Sequence, residues 1–208
     1  MQPQKRPKEE SEENDEFIES SDSTLTTKKI AVAGVLAALS VAVAPIVAFI
    51  PRIPGWGIAL FDPVSIFWII AFLIGGFAVG MASMTVGTIA LLFYDPTGPI
   101  GTLLKLIATV PMIIIPWLGV KLGDKAAAGR KLGNVKRYVT LMIVATIVRL
   151  IIMIPLNLII VPLFFGLDDT AFLIAYTVVL NAVQAFWDIT IPYVVVHPTS
   201  LFDEFGLW

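Results

Sequence analysis

VSIFWIIAFLIGGFAVGMASMTVGTIALLF, running from Val64 to Phe93, is the stretch whose reading sets the number of membrane crossings. It holds about thirty residues, or about 45 Å as one α-helix, which is long for one crossing of a ~30 Å hydrocarbon core and short for two. Gly75-Gly76, Gly80, Ser83 and Gly87 offer places where the run can break or pack closely. Charge on either side of it decides. Lys28 and Lys29 precede the first apolar run, while Lys121, Lys125, Arg130, Lys131, Lys136 and Arg137 crowd a later loop. The positive-inside rule places both clusters on the cytoplasmic face, so an even number of crossings lies between them. That parity predicts two short helices within 64–93 and six crossings in all.

The rest of the chain agrees. Of 208 residues, 57% are apolar, and several apolar runs approach the ~20 residues a bilayer requires. The expected fold class is an all-α membrane protein with six transmembrane helices and both termini cytoplasmic, multi-pass in the cell membrane. Span one is expected at about 30–50, span four at 100–120, span five at 138–165 and span six at 171–196. Residues 1–27, rich in Glu, Asp, Ser and Lys, read as a disordered acidic cytoplasmic tail, 28–197 as the membrane domain and 198–208 as a short cytoplasmic C-terminal tail. Ala42-Val43-Ala44 imitates a signal cleavage site, but an acidic leader precedes the apolar run and Pro45 follows it, so the first helix is expected to be retained. The loops 51–62, 94–99 and 166–169 then face outward, and they carry Asp62, Asp95, Asp168 and Asp169 against a lone Arg52.

Enzyme chemistry finds little support in the residues. Without cysteine there is no thiol nucleophile or Cys-ligated metal, the single His197 cannot build a histidine cluster, and no Gly-x-Ser-x-Gly occurs. No cofactor, no metal and no nucleic-acid partner is expected.

Attention falls instead on polar residues inside the spans. The turn Tyr94-Asp95-Pro96-Thr97-Gly98-Pro99 opens into span four, with Thr102 in its first turns and Lys105 about one turn further in. Asn157 lies roughly 12 Å below the outer end of span five, and Asn181 roughly 15 Å below that of span six, with Gln184 one turn deeper on the same face. These amides, with Lys105, Thr102 and Asp95 above them and Trp56 in the first outer loop, are the candidate lining of an outward-facing polar cavity; interhelical hydrogen bonding is the alternative for each amide. Arg149 and Asp188 fall at matching depth on spans five and six and are expected to neutralise one another, with a proton or ion pathway as the other reading. On span one, Gly34, Ala38 and Ala42 form one small-residue stripe, and Ala33 with Ala37 forms another; either suits close helix approach, within the chain or to a partner.

In order and sidedness the chain resembles the substrate-binding S component of energy-coupling factor (ECF) vitamin transporters, in particular the RibU-like riboflavin branch. Phe61-Asp62-Pro63-Val64, Asp95-Pro96-Thr97-Gly98-Pro99, Leu156-Asn157-Leu158 and Asn181-Ala182-Val183-Gln184 carry the resemblance, which covers about 28–196. It implies a vitamin pocket in the outer half of the bundle, capped by the loop after span one. Asn157 and Asn181 would address the polar edge of riboflavin, and Gln184 stands where riboflavin-binding members often have lysine. It also implies that Ala33 and Ala37 dock on a transmembrane coupling subunit, with two ATPase subunits hydrolysing ATP; this chain has no phosphate-binding Gly-rich loop with its lysine. Another vitamin, a small aromatic metabolite, or action as a stand-alone membrane carrier are the competing readings.

Overall fold

The computed structural model describes residues 26–54, 59–95, 98–122, 128–199 and 201–208. It is all-α among these residues apart from an isolated bridge between Arg52 and Ala59. Among the described residues, five helices are long and apolar enough to cross a membrane. They are α1 (Thr27–Val43), continued by a 3-10 segment (Ala44–Phe49), then α2 (Val64–Leu91), α3 (Gly98–Lys121), α5 (Val135–Phe165) and α6 (Thr170–Val196). Two short helices, α4 (Ala128–Lys131) and α7 (Leu201–Phe205), also lie among the described residues.

α2 is where the expectation of six crossings meets its test. Gly76 has φ 82° and ψ −174°, a conformation open essentially to glycine alone, and it interrupts the helix. The chain reverses there. A Cβ at Gly80 would sit 2.6 Å from that of Phe72, and one at Gly87 would sit 2.6 Å from Trp68 Nε1. In a straight helix those pairs would be about 12 Å and about 28 Å apart. α2 is therefore a hairpin of two antiparallel arms, 64–75 and 77–91, of about 18 Å and about 22 Å. Neither arm alone matches a full ~30 Å crossing, so the two short helices are found but as arms of one buried unit.

This hairpin is the core. Val64, Trp68, Ile69, Ala71, Phe72, Leu73, Val79, Met84 and Leu91 are all fully buried, and α2 is the most buried of the five long helices. Glycines let the arms approach each other, and small residues let α1 approach them. Ala33 and Ala37 of α1 are buried, with Ala33 packed against Ala71 and Val79 of the two arms. Trp68 Nε1 donates to Ser40 Oγ at 3.0 Å, and that hydroxyl in turn donates to Ala37 O at 2.7 Å. Ala33 and Ala37, for which packing within the chain and docking on a partner were both open, are covered by the chain's own hairpin. The neighbouring stripe, Gly34, Ala38 and Ala42, is the exposed one.

Local signals set the helix ends. Thr26, Asn134 and Asp169 are N-caps whose side chains accept from backbone N–H groups of the first turn, and Gly166 ends α5 in the left-handed region at φ 67°. Pro45 sits at the start of the 3-10 segment, where its missing N–H costs nothing. Pro111, Pro116, Pro155, Pro162 and Pro192 all lie within continuous helices. Exposed Ile143, Ile147 and Ile151 run along α5 at four-residue spacing, an apolar outer face of the kind that lipid solvates.

The bundle has two distinct ends. At one lie Arg52, Ala59, Asp62, Asp95, Phe165 and Leu167; at the other lie the Gly76 turn, α4 and the C-terminal segment. Within 198–208, expected as a short cytoplasmic tail, residues 201–208 pack tightly. Leu207 N donates to Ile74 O at 2.8 Å, and Trp208 Nε1 to Leu73 O at 3.0 Å, filling carbonyls that the broken arm leaves open. The Trp208 ring lies against Gly76 and 5.2 Å from the Phe72 ring. Phe202 is buried beside Gly129. The start of α1 belongs to this end too, since Ala31, Val32 and Val35 share a small apolar groove with Ile74 and Phe205.

Candidate ligand-binding cavity

Between α3, α5 and α6, at the end away from the tail, the bundle encloses a cavity of about 740 Å³. That lies within the range of sites that bury most of a drug-sized molecule. Its walls are largely apolar. Leu104 and Ala108 come from α3, Met153, Val161 and Phe165 from α5, and Phe172, Leu173, Tyr176 and Leu180 from α6. The segment after α1 supplies Val47, Arg52, Ala59 and Asp62.

Four of the expected site residues meet here: Asn157, Asn181, Gln184 and Lys105 all line the cavity. The two asparagines are buried, and each uses its Nδ2 to donate to the carbonyl four residues back, Asn157 to Met153 O and Asn181 to Thr177 O, both at 2.8 Å. Such bonds hold an amide against its own helix, with the oxygen left to reach elsewhere. Gln184 Nε2 reaches Ala59 O at 3.5 Å, a long contact that joins α6 to the segment after α1. Trp187 Nε1 makes a second such tie to Leu60 O at 2.7 Å, with its ring edge-on to Phe61.

Three of the expected site residues are engaged by partners within the chain. Lys105 is a neutralised cation, because its ammonium lies 2.8 Å from Asp62 and 2.9 Å from Asp95. Asp95 is a partner of that lysine with an almost fully buried side chain, and it is not among the residues that line the cavity. Thr102 is fully buried, donates to Gly98 O at 3.1 Å and likewise does not line it. Physically, a lone ammonium at the edge of an apolar span is costly and draws the nearest carboxylates onto itself. Asp62 has a further task, since its Oδ1 accepts from Val64 N at 3.1 Å and so fixes the start of the hairpin. Trp56 lies outside the described residues.

Deeper in, the second charge pair forms. Arg149 Nη1 donates to Asp188 Oδ2 at 2.8 Å, Arg149 Nε to Asn181 Oδ1 at 2.6 Å, and Ser65 Oγ to Asp188 Oδ1 at 2.6 Å. Asp188 is fully buried and Arg149 only 5% exposed, yet Arg149 and Ser65 both touch the cavity. Sequence reasoning found the pair by depth but missed the link to Asn181 and Ser65. Among the described residues no group of three or more His, Asp or Glu side chains stands close enough to hold a metal ion.

Fold and cavity together define a polytopic, all-helical membrane protein, an architecture consistent with transport. No protein-family model matches the chain, and neither a curated protein nor a solved structure matches it significantly.

Proposed function

We propose that this chain is the substrate-binding subunit of an ECF-type vitamin transporter and that riboflavin is its cargo. The observation that supports this most is the convergence of Asn157, Asn181 and Gln184 on one cavity of about 740 Å³ with otherwise apolar and aromatic walls. A fused-ring vitamin buries its faces against such walls, and the few amides address its polar edge. In this reading the cavity opens outward, the Gly76 end faces the cytoplasm, and the hairpin arms stand in for spans two and three. Partner ATPase subunits supply the energy through a transmembrane coupling subunit. With Ala33 and Ala37 covered, the open face of α1 bearing Gly34, Ala38 and Ala42 is the surface left on that helix for the coupling subunit.

Titration of the purified protein with riboflavin tests the proposal. Saturable quenching of tryptophan fluorescence is expected, and Asn157→Ala should weaken it by about 1–3 kcal/mol through the lost polar contact. Binding of a different vitamin with no response to riboflavin would reassign the cargo. Failure of every vitamin tried would remove the receptacle.

A further inference from the structure

The Arg149 guanidinium is tied down on one side only. Of its five N–H donors, Nε goes to Asn181 and one Nη1 hydrogen to Asp188. The other three have no acceptor among the described residues, although the side chain is nearly buried. The unused donors are not among the fully buried side-chain atoms left without a partner, so they face open space, where a bound acceptor can reach them. Here the exposed remainder abuts the cavity, because Arg149 is the deepest α5 residue in its lining. Asp188, itself held by Ser65, cancels the charge, and the Asn181 oxygen fixes the plane of the fork.

We propose that Arg149 is a ligand-binding residue at the floor of the cavity, donating its spare N–H groups to a carbonyl oxygen on an uncharged, planar ligand. The site's other ions point the same way. With Arg52 counted, the three cations Arg52, Lys105 and Arg149 stand against the three carboxylates Asp62, Asp95 and Asp188, so no net positive charge rewards an anionic ligand. What remains is directional hydrogen bonding from a neutralised fork, which selects for acceptor oxygens rather than for charge. The inference rests on the cavity being the receptacle proposed above, and it gives Asn181, beside its place in the lining, the added task of positioning Arg149.

Two measurements test it. Phenylglyoxal, an arginine-selective reagent small enough for the cavity, is applied to the ligand-free protein in detergent and located by peptide mass spectrometry. Arg149 is expected to be modified, as is the exposed Arg52 at the other side of the same cavity. Modification of Arg52 with Arg149 untouched would overturn the assignment. Affinity is then compared for riboflavin and for analogues in which one ring carbonyl oxygen is replaced by sulfur, which keeps the shape and weakens the acceptor. The natural protein should prefer oxygen at one of the two carbonyls by about tenfold or more. The charge-balanced double variant Arg149→Met/Asp188→Asn should show almost no preference while keeping its cooperative unfolding. A folded double variant that retains the preference would show that Arg149 does not touch the ligand. Labelling of Arg149 in a protein that binds no riboflavin would refute the cargo and uphold the residue's role.

Discussion

The two ends of this bundle are held by different physics. Around the cavity the elements are joined by ion pairs and side-chain hydrogen bonds: Lys105 to Asp62 and Asp95, Arg149 to Asp188 and Asn181, Gln184 to Ala59. At the Gly76 end the contacts are aromatic packing and backbone capping: Trp208 on Phe72 and Gly76, Leu207 on Ile74, Phe202 beside Gly129. Charge pairs have steep energies and few alternatives, so they hold an open volume without filling it. Apolar packing does the reverse and closes space. A protein that keeps a void at one end and a sealed plug at the other divides its interactions in this way.

The sharpest way to break that contrast is to remove one member of the deep pair. Asp188→Ala leaves the Arg149 charge nearly buried without its counter-ion, and a loss of about 3–5 kcal/mol is expected. Thermal unfolding in detergent reads it, and a variant as stable as the natural protein would mean that water already screens the pair. A smaller loss is expected at the opposite end. Trp208→Ala removes the ring over Gly76 and the donor to Leu73 O, for about 1–3 kcal/mol, with ligand affinity unchanged because the cavity shares no residue with that plug. A parallel loss of affinity would show that the two ends are coupled. The smallest effect concerns pH. His197, at the end of α6 between the Tyr193 and Phe202 rings, has its pKa lowered by burial, partly countered by Asp203. The unfolded chain then binds the proton more readily than the folded one. Stability is therefore unaffected above about pH 6.5 and falls as pH drops below that value. His197→Phe should flatten the dependence, measured as melting temperature against pH, and an unchanged slope would assign it to the carboxylates instead.

Much of this was readable from residues whose cost in a membrane is high. Reading the two cationic clusters on one face predicted a fold-back within 64–93, and the chain folds back at Gly76, one of the glycines offered for it. Arg149 and Asp188 were legible because opposite charges at equal depth have few other partners. The Lys105 triad was not, since Asp62 and Asp95 sit in connecting segments whose path no periodicity describes. The small-residue stripes were legible only in part, for another reason. Ala33–Ala37 and Gly34–Ala38–Ala42 differ by one residue in phase, and spacing alone cannot say which of two adjacent faces meets the chain's own hairpin. The segment 201–208 looked like a tail because it is too short to show a period. Its Phe202, Phe205 and Trp208 were the available hint.

The closure over Gly76 also bears on how the protein is made. Trp208 and the Leu73 carbonyl it caps are 135 positions apart in the chain. A ribosome working from the N-terminus delivers the hairpin early and its cover late. Through most of synthesis the hairpin's turn therefore carries open carbonyls and an uncovered glycine, and assembly is completed only when the downstream aromatic residues arrive.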